Sequence, residues 1–299
     1  MSQNTHGVKM EYLVVDDNSS DDTRAVVEKY MGASPDIELK YIFEKKQGCN
    51  CARNTGIKRS SGEYLIFFDD DVLLEQGTLF AYVKAFQRYQ DASVFGGKIL
   101  LRQPDFDLPV WLVTEGQFAR SMIVIIRNFG KENIRQDLNE FLAPVTLNMA
   151  VKRSVFEKYG YLRTDLGLSG KQLLPGADYE FFLRVSEHIE SWIYVANAIA
   201  YHPLKKSQAE KSYFRRRLFG VGRITYRLHT FEASKRLFGL PLYFFTAIAK
   251  YILLTIKYMV LLRPVESFFY ETEMILNCGC VYEHFVLKRS FRATENQKS

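Results

Sequence analysis

The sequence predicts an α/β fold, in which a mostly parallel, doubly wound sheet is flanked by helices and followed by a helical extension. Over about the first 200 residues, apolar runs of strand length alternate with helix-length segments, which is typical of strand–helix–strand units. After this point the alternation stops and the sequence becomes basic and apolar. The 299 residues, 47% of them hydrophobic, suffice for one large domain. We therefore expect a domain over residues 1–203 and a helical extension over residues 204–299.

Each element of the first domain is predicted from apolar periodicity and turn residues. The predicted strands cover residues 10–15, 37–43, 63–68, 94–101, 144–153 and 192–201. The predicted helices cover residues 23–31, 51–59, 74–89, 154–159 and 176–188. Between residues 103 and 140 the period is lost, which is typical of a binding loop within a compact domain.

The stretch GEYLIFFDDDV at residues 62–72 places three carboxylates directly after a predicted strand. Side chains alternate along an extended chain, so Asp69 and Asp71 are expected on one side and Asp70 on the other. Two carboxylates on one side are suited to a hard cation, and the third would serve the scaffold. The same residues also fit a helix cap with a solvated turn, because Asp is a common N-cap. The run alone leaves both interpretations open.

Other polar residues follow the ends of predicted elements. An acidic turn, DDNSSDDT at residues 16–23, comes after the first strand; Asp178 stands at a helix start, and His202 closes the last strand. In doubly wound sheets, ligands bind beyond the carboxyl ends of the strands, where both acidic turns fall. The pattern indicates one binding site at that edge.

With the unbroken run ARNTGIKRSSGEYLIFFDDDV at residues 52–72, these features closely resemble the glycosyltransferases of family 2. Members of that family are inverting enzymes with the GT-A nucleotide-sugar-binding fold. The resemblance extends from about Glu11 to His202. VVDDNSSDDT at residues 14–23 is similar to the family's nucleotide-binding turn, and GADYEFFLRV at residues 176–185 occupies the place of its G-E-D-x-x-L-x-x-R segment.

The resemblance implies a chemical role for the metal side and the acceptor side of the site. Asp69 and Asp71 would supply the DxD-type contact to Mg²⁺ or Mn²⁺, which bridges to the diphosphate. His202 would complete the metal or diphosphate site, and a purely structural role for this histidine stays open. Asp178 would act as general base toward the acceptor hydroxyl, with a plain helix N-cap as its alternative.

The resemblance also implies a set of donor-binding residues. Asp17 would accept a hydrogen bond from the nucleobase, expected to be uracil. Arg53 would lie near the nucleotide or brace the acidic cluster, and Asp69 and Asp70 complete the donor set.

The sequence departs from the family pattern in two places. Ala177 stands where the family usually has Glu, although the acid assigned as base is kept. The family's usual first strand and helix, with a P-x-Y-N-like turn, have no counterpart before the first acidic strand, where only residues 1–10 stand. We therefore expect a sheet with an exposed inner edge, which is a stability and aggregation liability.

The positive charge is concentrated in one segment. Residues 203–263 contain thirteen Lys or Arg against two Glu, so this segment carries +11, the whole chain +6 and the remainder −5. Aromatic residues are interleaved with arginines in YFRRRLF at residues 213–219. No recognised nucleic-acid motif accompanies the segment, so we do not expect a nucleic-acid partner.

Residues 240–262 are apolar except for Lys250 and Lys257, which are seven apart and share one narrow helix face. Crossing a bilayer would place both lysines in hydrocarbon at about 2.5–3.5 kcal/mol each, nearly offset by the apolar residues. Lying in the membrane interface has no such cost, and flanking basic residues add about 1 kcal/mol each against anionic lipid. An interfacial or re-entrant placement is favoured over a spanning helix or a buried helix pair in a soluble protein.

The family resemblance implies an inverting, metal-dependent glycosyltransferase that moves a sugar from a nucleotide-diphosphate donor, expected to be a UDP-sugar, to a glycan or lipid-linked acceptor. The start MSQNTHGVKMEY is polar, so no secretory signal is predicted and the protein is expected on the cytoplasmic face of the membrane. It would make a cell-surface polysaccharide or glycolipid. The alternative is a non-catalytic, truncated relative that serves as a membrane-docked binding or scaffold protein. A nucleotidyltransferase ranks last, since no glycine-rich basic loop for a triphosphate stands near the N-terminus.

Overall fold

The structure is a computed structural model that describes residues 8–33, 37–113, 125–138, 143–169 and 172–296. Its strands are β1 (Glu11–Asp16), β2 (Glu38–Phe43), β3 (Tyr64–Phe68), β4 (Leu73–Leu74), β5 (Val94–Leu101), β6 (Ile134–Asp137), β7 (Asn148–Lys152), β8 (Gly167–Ser169), β9 (Gln172–Leu174), β10 (Ser191–His202), β11 (Arg236–Leu237) and β12 (Leu240–Pro241). Its helices are α1 (Thr23–Ala33), α2 (Cys49–Arg59), α3 (Thr78–Arg88), α4 (Val110–Val113), α5 (Arg153–Tyr159), α6 (Ala177–Ser186), α7 (Lys211–Leu228), α8 (Leu242–Val260) and α9 (Pro264–Asn296).

The described residues form two compact units. The first lies within residues 1–103, 125–171 and 177–203, and the second within residues 104–124, 172–176 and 204–299. The predicted domain boundary after residue 203 stays a prediction. The predicted irregular segment from 103 to 140 contains α4 and β6, but its residues 114–124 and 139–140 lie outside the described part, as do the polar residues 1–7.

The first unit contains both parallel and antiparallel strand pairs, and its flanking helices confirm the predicted α/β class. Strand β1 pairs with β2 in parallel. A larger sheet has the order β3-β7-β5-β10-β4, with β6 also on β10; β5 and β10 run parallel, and the other pairs in it run antiparallel. Among the described strands, β1 pairs with β2 alone and β3 with β7 alone, so each has one edge that no described strand covers.

Alternation of side chains divides the core of this unit between the two faces of the larger sheet. On β10, Trp192 and Tyr194 belong to one buried cluster, which they share with residues of α5 and α6. The intervening Ile193 and Val195 belong to a second cluster, with Phe95 and residues of α3. Both faces are thus covered by helices, which is why β10 reads as a nearly continuous apolar run in the sequence.

Asn148, at the start of β7, fixes the strands around it. It is 1% exposed; its Nδ2 donates to the carbonyls of Lys98 and Ala198, both at 2.9 Å, and its Oδ1 accepts from the Tyr82 hydroxyl at 2.9 Å. Gly97 makes room for this amide, since a Cβ there would collide with the Asn148 Nδ2. The network satisfies a buried polar side chain and sets where β7 begins.

The helix predicted from residue 74 starts later than expected, at Thr78. Leu73 and Leu74 pair instead with Tyr201 and Ala200 of β10 as the short strand β4. Gly77, with φ +90°, turns the chain into the helix, and the Thr78 hydroxyl donates to the Ile199 carbonyl at 2.9 Å. The prediction was wrong here because helical periodicity cannot show a two-residue strand that depends on a partner 126 positions away (Leu74 with Ala200).

Glu11 joins β1 to the segment that precedes β3. Its carboxylate accepts hydrogen bonds from the backbone amides of Ser61 and Gly62, the latter at 3.1 Å, and pairs with Lys40 Nζ at 2.9 Å. Burial raises the pKa of Glu11, but these hydrogen bonds lower it by more, so the net pKa is about 2.

In the second unit, α7 and α9 pack with their backbones close together. A Cβ at Gly222 would collide with the Leu276 carbonyl, and one at Gly279 with the Phe219 carbonyl. Further along α9, Glu283 is fully buried and accepts hydrogen bonds from Arg223 and Arg227 of α7. Removing one arginine would leave a buried carboxylate only partly compensated.

Candidate active site

Four elements bring polar side chains together at one edge of the larger sheet. Strand β3 runs antiparallel to β7, with Phe68 opposite Asn148. The residues that follow β3 therefore lie beside those that precede β7, and the same register continued by one residue sets Asp69 opposite Leu147, the neighbour of Thr146. Thr146 in turn hydrogen-bonds Asp178 at the start of α6. The site is thus built from two strand ends and a helix start, with α2 alongside.

Arg53 projects from α2 into the acidic cluster. Its Nη2 donates to Asp69 Oδ1 at 2.6 Å, and its Nη1 donates to Asn50 Oδ1 at 3.3 Å. Burial lowers the pKa of Arg53, but the negative charges of Asp69 and Asp178 raise it by more, so the net pKa lies above the usual value. The guanidinium therefore stays charged and couples the acidic turn to the start of α6.

Asp178 is held on one oxygen and unpartnered on the other. Its Oδ2 accepts from the Thr146 backbone amide at 3.2 Å and from the Thr146 hydroxyl at 3.1 Å. Its Oδ1 is buried and has no hydrogen-bond partner among the described residues. Burial raises the pKa of Asp178 more than Arg53 and Thr146 lower it, so the net pKa lies above the ordinary value for Asp. A positioned carboxylate of raised pKa with a free lone pair is suited to accept a proton.

Asp16, the last residue of β1, serves the turn itself. Its Oδ1 accepts from the Ser19 amide at 2.8 Å and its Oδ2 from the Tyr41 hydroxyl at 2.5 Å, while Asn18 takes a left-handed conformation with φ +57°. Burial raises the pKa of Asp16, but these hydrogen bonds lower it by more, so the net pKa lies below its usual value. Both carboxylate oxygens are occupied, so Asp16 acts as a scaffold residue.

Asp17 has one free oxygen. Its Oδ1 accepts from the backbone amide of Gly48 at 2.7 Å, which links the turn after β1 to the start of α2. Burial raises the pKa of Asp17, and the hydrogen bond from Gly48 lowers it. Repulsion from Glu44 and Asp16 also raises the pKa, so the net value lies above the usual one. In the described part of the chain no hydrogen bond is made to its Oδ2, which leaves an acceptor beside the turn.

The three consecutive acids differ in exposure. Asp69 and Asp71 are half-buried and Asp70 is exposed. Asp69 is the one that pairs with Arg53. The turn thus offers two sheltered carboxylates and one that faces solvent.

Strand β4 fixes the turn against the end of β10. Two residues after Asp71, Leu73 pairs with Tyr201, and the Tyr201 hydroxyl donates to Glu75 Oε2 at 2.8 Å. His202 is the next residue of β10 and ends it. The acidic turn and His202 therefore share one edge of the sheet, as both would have to for a common role.

The donor set at this edge fits a divalent cation that completes its shell with phosphate and water. Two carboxylates and a histidine offer oxygen and nitrogen ligands, which suit Mn²⁺, and the carboxylates also suit Mg²⁺. Within the described residues, no three His, Cys, Asp or Glu side chains converge as a ready-made metal cluster.

Two asparagines of α2 hold the segment before β8 and were not predicted to do so. Asn50 Nδ2 donates to the carbonyls of Arg163 and Leu166 at 2.7 and 2.9 Å. Asn54 donates to the Leu162 carbonyl at 2.8 Å and accepts from its amide at 3.0 Å. Buried Asn at positions i and i+4 of a helix is a sequence signal for such contacts, but it does not identify the partner.

Thr146 is a further residue that sequence reasoning missed. It precedes β7 and lies outside the acidic motifs, and its hydroxyl has no distinctive local pattern. Thr146 falls within the strand predicted over residues 144–153, but its hydrogen bonds to Asp178 depend on the way α6 packs.

Known structures define the class of this fold. The chain is similar to the mannosyltransferase PcManGT of Pyrobaculum calidifontis, solved in complex with GDP-Man and Mn²⁺, with a TM-score of 0.54 and 17% identity over 91% of this chain and 77% of that one. At this identity the likeness concerns the fold alone. The fold is of the GT-A type that the sequence predicted.

The family follows from sequence comparison. The model of glycosyl transferase family 2 matches residues 3–160, which is more than half of the chain. The chain therefore belongs to glycosyl transferase family 2, as predicted.

Two curated glycosyltransferases show how similar the chain is to known relatives. Glycosyltransferase AglE of Haloferax volcanii is 26% identical over 79% of this chain and 69% of its own length. The GalNAc(5)-diNAcBac-PP-undecaprenol beta-1,3-glucosyltransferase of Campylobacter jejuni is 38% identical over 34% of this chain. This second match spans 32% of the Campylobacter protein, about a third of its length.

Proposed function

We propose that the protein is an inverting, metal-dependent glycosyltransferase that moves a sugar from a UDP-sugar to a hydroxyl of a glycan or lipid-linked acceptor. The observation that carries this proposal is the position of Arg53, hydrogen-bonded to Asp69 at 2.6 Å and electrostatically coupled to Asp178. The Arg53 guanidinium thereby connects the acids proposed to bind the metal and diphosphate with the acid proposed to deprotonate the acceptor.

Asp178 is the proposed general base. Thr146 fixes its Oδ2, so the oxygen that takes the acceptor proton is the buried Oδ1, which has no partner among the residues that the structure describes. The raised pKa makes this carboxylate a stronger base than an exposed Asp. A single base and direct in-line attack on the anomeric carbon invert the configuration.

Asp69 and Asp71 are the proposed metal contacts, and His202 completes the site. Bound Mg²⁺ or Mn²⁺ would neutralise charge on the departing diphosphate. The half-buried positions of both acids suit this role, because sheltered carboxylates interact more strongly with a cation than exposed ones do. Arg53 restrains Asp69 through a salt bridge to its Oδ1.

Asp17 and Asp70 are the remaining donor-side residues. The free oxygen of Asp17, beside a turn that Gly48 anchors, is proposed to accept from the uracil N–H. Asp70 is exposed and is proposed to contact the donor at the outer side of the acidic turn, with Arg53 and Asp69 on its inner side.

We also propose that the protein works at the cytoplasmic face of the membrane in the synthesis of a cell-surface glycan. The name of the Campylobacter relative includes an undecaprenol-linked substrate. In the described part of this chain one helix, Leu242–Val260, is long and apolar enough to cross a membrane. The first fact favours a lipid-linked acceptor, and the second favours a membrane location.

Donor binding tests the proposal without knowledge of the acceptor. Titration calorimetry of the full chain with UDP should give binding that requires Mn²⁺ or Mg²⁺, and Asp71→Ala should lose it. The matched control is Asp91→Ala, which removes an exposed acid that pairs with Arg135 elsewhere on the unit. Absence of UDP binding by both the parent and the control would reject the enzyme and favour the scaffold alternative.

A further inference from the structure

Helix α8 leaves an unusually large apolar surface exposed. Phe244 is its one buried residue in the described structure. Leu253, Met259 and Val260 are 68%, 61% and 73% exposed. A helix that only packs on its own protein buries its apolar stripe, so this surface points to an outside partner.

The exposed part of α8 is divided into two rows, because residues three or four apart lie on one helix face. The first row is wholly apolar and contains Phe245, Ala249, Ile252, Ile256 and Met259. The second row contains Thr246, Lys250, Leu253 and Lys257, so both lysines lie along one border of the apolar row. This arrangement is typical of a helix in a membrane interface, with its apolar face down and its cations at the level of the headgroups.

The remaining flank of α8 faces the protein. Tyr251 and Tyr258 stack against Tyr270 of α9, with ring centroids 6.2 and 5.3 Å apart. The lysine row and the packed flank therefore lie on either side of the apolar row. A flat leaflet can reach the apolar row without displacing α9.

Two further exposed apolar side chains lie near the two ends of α8. Phe238, at the tip of the β11–β12 hairpin, is 67% exposed, and its ring centroid lies 6.5 Å from that of Phe245. Leu262, just after α8, is 88% exposed. Both have φ above +50°, a conformation that bulky residues rarely adopt. The backbone is thus held in an unfavourable conformation at two points that present apolar groups to the outside.

Charge decides between the candidate partners. Helix α8 has two lysines and no acid, so a second copy placed on this surface would bring lysines toward lysines. A spanning helix would place Lys250 near the bilayer centre, where a lysine costs about 2.5–3.5 kcal/mol. An anionic leaflet receives the apolar row in its acyl region and both lysines among its headgroups.

We propose that α8 lies flat in an anionic leaflet, with the row from Phe245 to Met259 in the acyl region and Lys250 and Lys257 in the headgroup layer. Phe238 and Leu262 anchor the two ends. The inference rests on the membrane-docked function proposed above and defines how the docking occurs: parallel to the membrane rather than across it.

Vesicle flotation of the full chain tests the docking. We expect binding to phosphatidylcholine vesicles that contain phosphatidylglycerol and much weaker binding to phosphatidylcholine alone. The double variant Ile252→Gln, Ile256→Gln should weaken binding at least about tenfold, because the two half-exposed side chains together contribute more than about 1.4 kcal/mol when the leaflet buries them. The matched control Thr246→Gln, on the lysine row of the same helix, should change it less than about twofold.

Depth measurement distinguishes the flat from the spanning orientation. Tryptophans introduced singly by Phe245→Trp, Ile252→Trp and Met259→Trp stand seven residues apart on the apolar row. A flat helix predicts equal and shallow quenching of all three by brominated lipids, relative to the parent chain. Deepest quenching at position 252, with shallow ends, would show a spanning helix and overturn the proposal.

Two other results would also overturn it. One is no binding to either vesicle type. The other is a dimer in solution that the Ile252→Gln, Ile256→Gln variant dissociates, since the row would then cover a second copy. Calorimetry with UDP and Mn²⁺ on the same preparations separates this failure from failure of the proposed function: donor binding without flotation rejects the docking alone.

Discussion

Thr146→Val should move the acidic limb of the pH–rate profile upward. The substitution removes the hydroxyl that donates to Asp178 Oδ2 at 3.1 Å and keeps the backbone amide at 3.2 Å. Hydrogen bonds to a charged group contribute about 1.5–3 kcal/mol, and the length of this one indicates the low end of that range. Since 1.36 kcal/mol corresponds to one pKa unit, the pKa of Asp178 should rise by about one unit.

The sign follows from the protonation state that a base needs. A hydrogen bond to the carboxylate stabilises its charged form and lowers its pKa, so losing the bond raises the pKa. Activity is lost as the pH falls through the pKa of Asp178, and in the variant that loss should begin about one unit higher.

The assay is release of UDP from a UDP-sugar in the presence of Mn²⁺, measured as kcat/KM against pH. Thr78→Val is a matched control, because it removes another buried threonine hydroxyl, bonded to the Ile199 carbonyl at 2.9 Å, away from Asp178. Its acidic limb should not move. An unmoved limb in Thr146→Val, with activity intact, would refute the assignment of Asp178 as the base.

Three other substitutions test the fold around the site. Glu11→Gln should cost about 3 kcal/mol at neutral pH, because the lowered pKa of about 2 contributes stability that is present above pH 4.5 and lost as the pH falls through 2. Urea unfolding across that range checks it, with Glu38→Gln as an exposed control. Asn54→Ala should cost about 2–4 kcal/mol, since it strands the amide and carbonyl of Leu162; equal urea midpoints for variant and parent would contradict this. Gly97→Ala should give little soluble protein, because its Cβ collides with Asn148, and a normal yield would show that the collision is relieved.

The sequence predicted the elements that carry a continuous pattern. Strand β5 has the predicted bounds, 94–101, because a central strand covered on both faces is apolar along its length. The acids at 69–71 and 178 were recognised because they follow or begin such elements, and family resemblance supplied their roles. Helix α2 was also predicted, although it begins at Cys49, two residues before its expected start.

The features that were missed depend on residues far apart in the chain. Strand β4 exists only because β10 pairs with it. The electrostatic interaction of Arg53 with Asp178 requires α2 and α6 to approach the end of β3. Thr146 becomes important only because β7 runs antiparallel to β3. Local periodicity contains none of this information, since it describes one element at a time.

The most direct test of the account compares two properties of Asp178→Asn. Asparagine keeps the shape of the side chain and the hydrogen-bond acceptor toward Thr146, but it cannot take a proton. We predict that UDP binds in the presence of Mn²⁺ with an affinity within about twofold of the parent, while UDP release from the UDP-sugar slows by about 10²–10⁴-fold. A variant that binds UDP and turns over at the parental rate would contradict the proposed base.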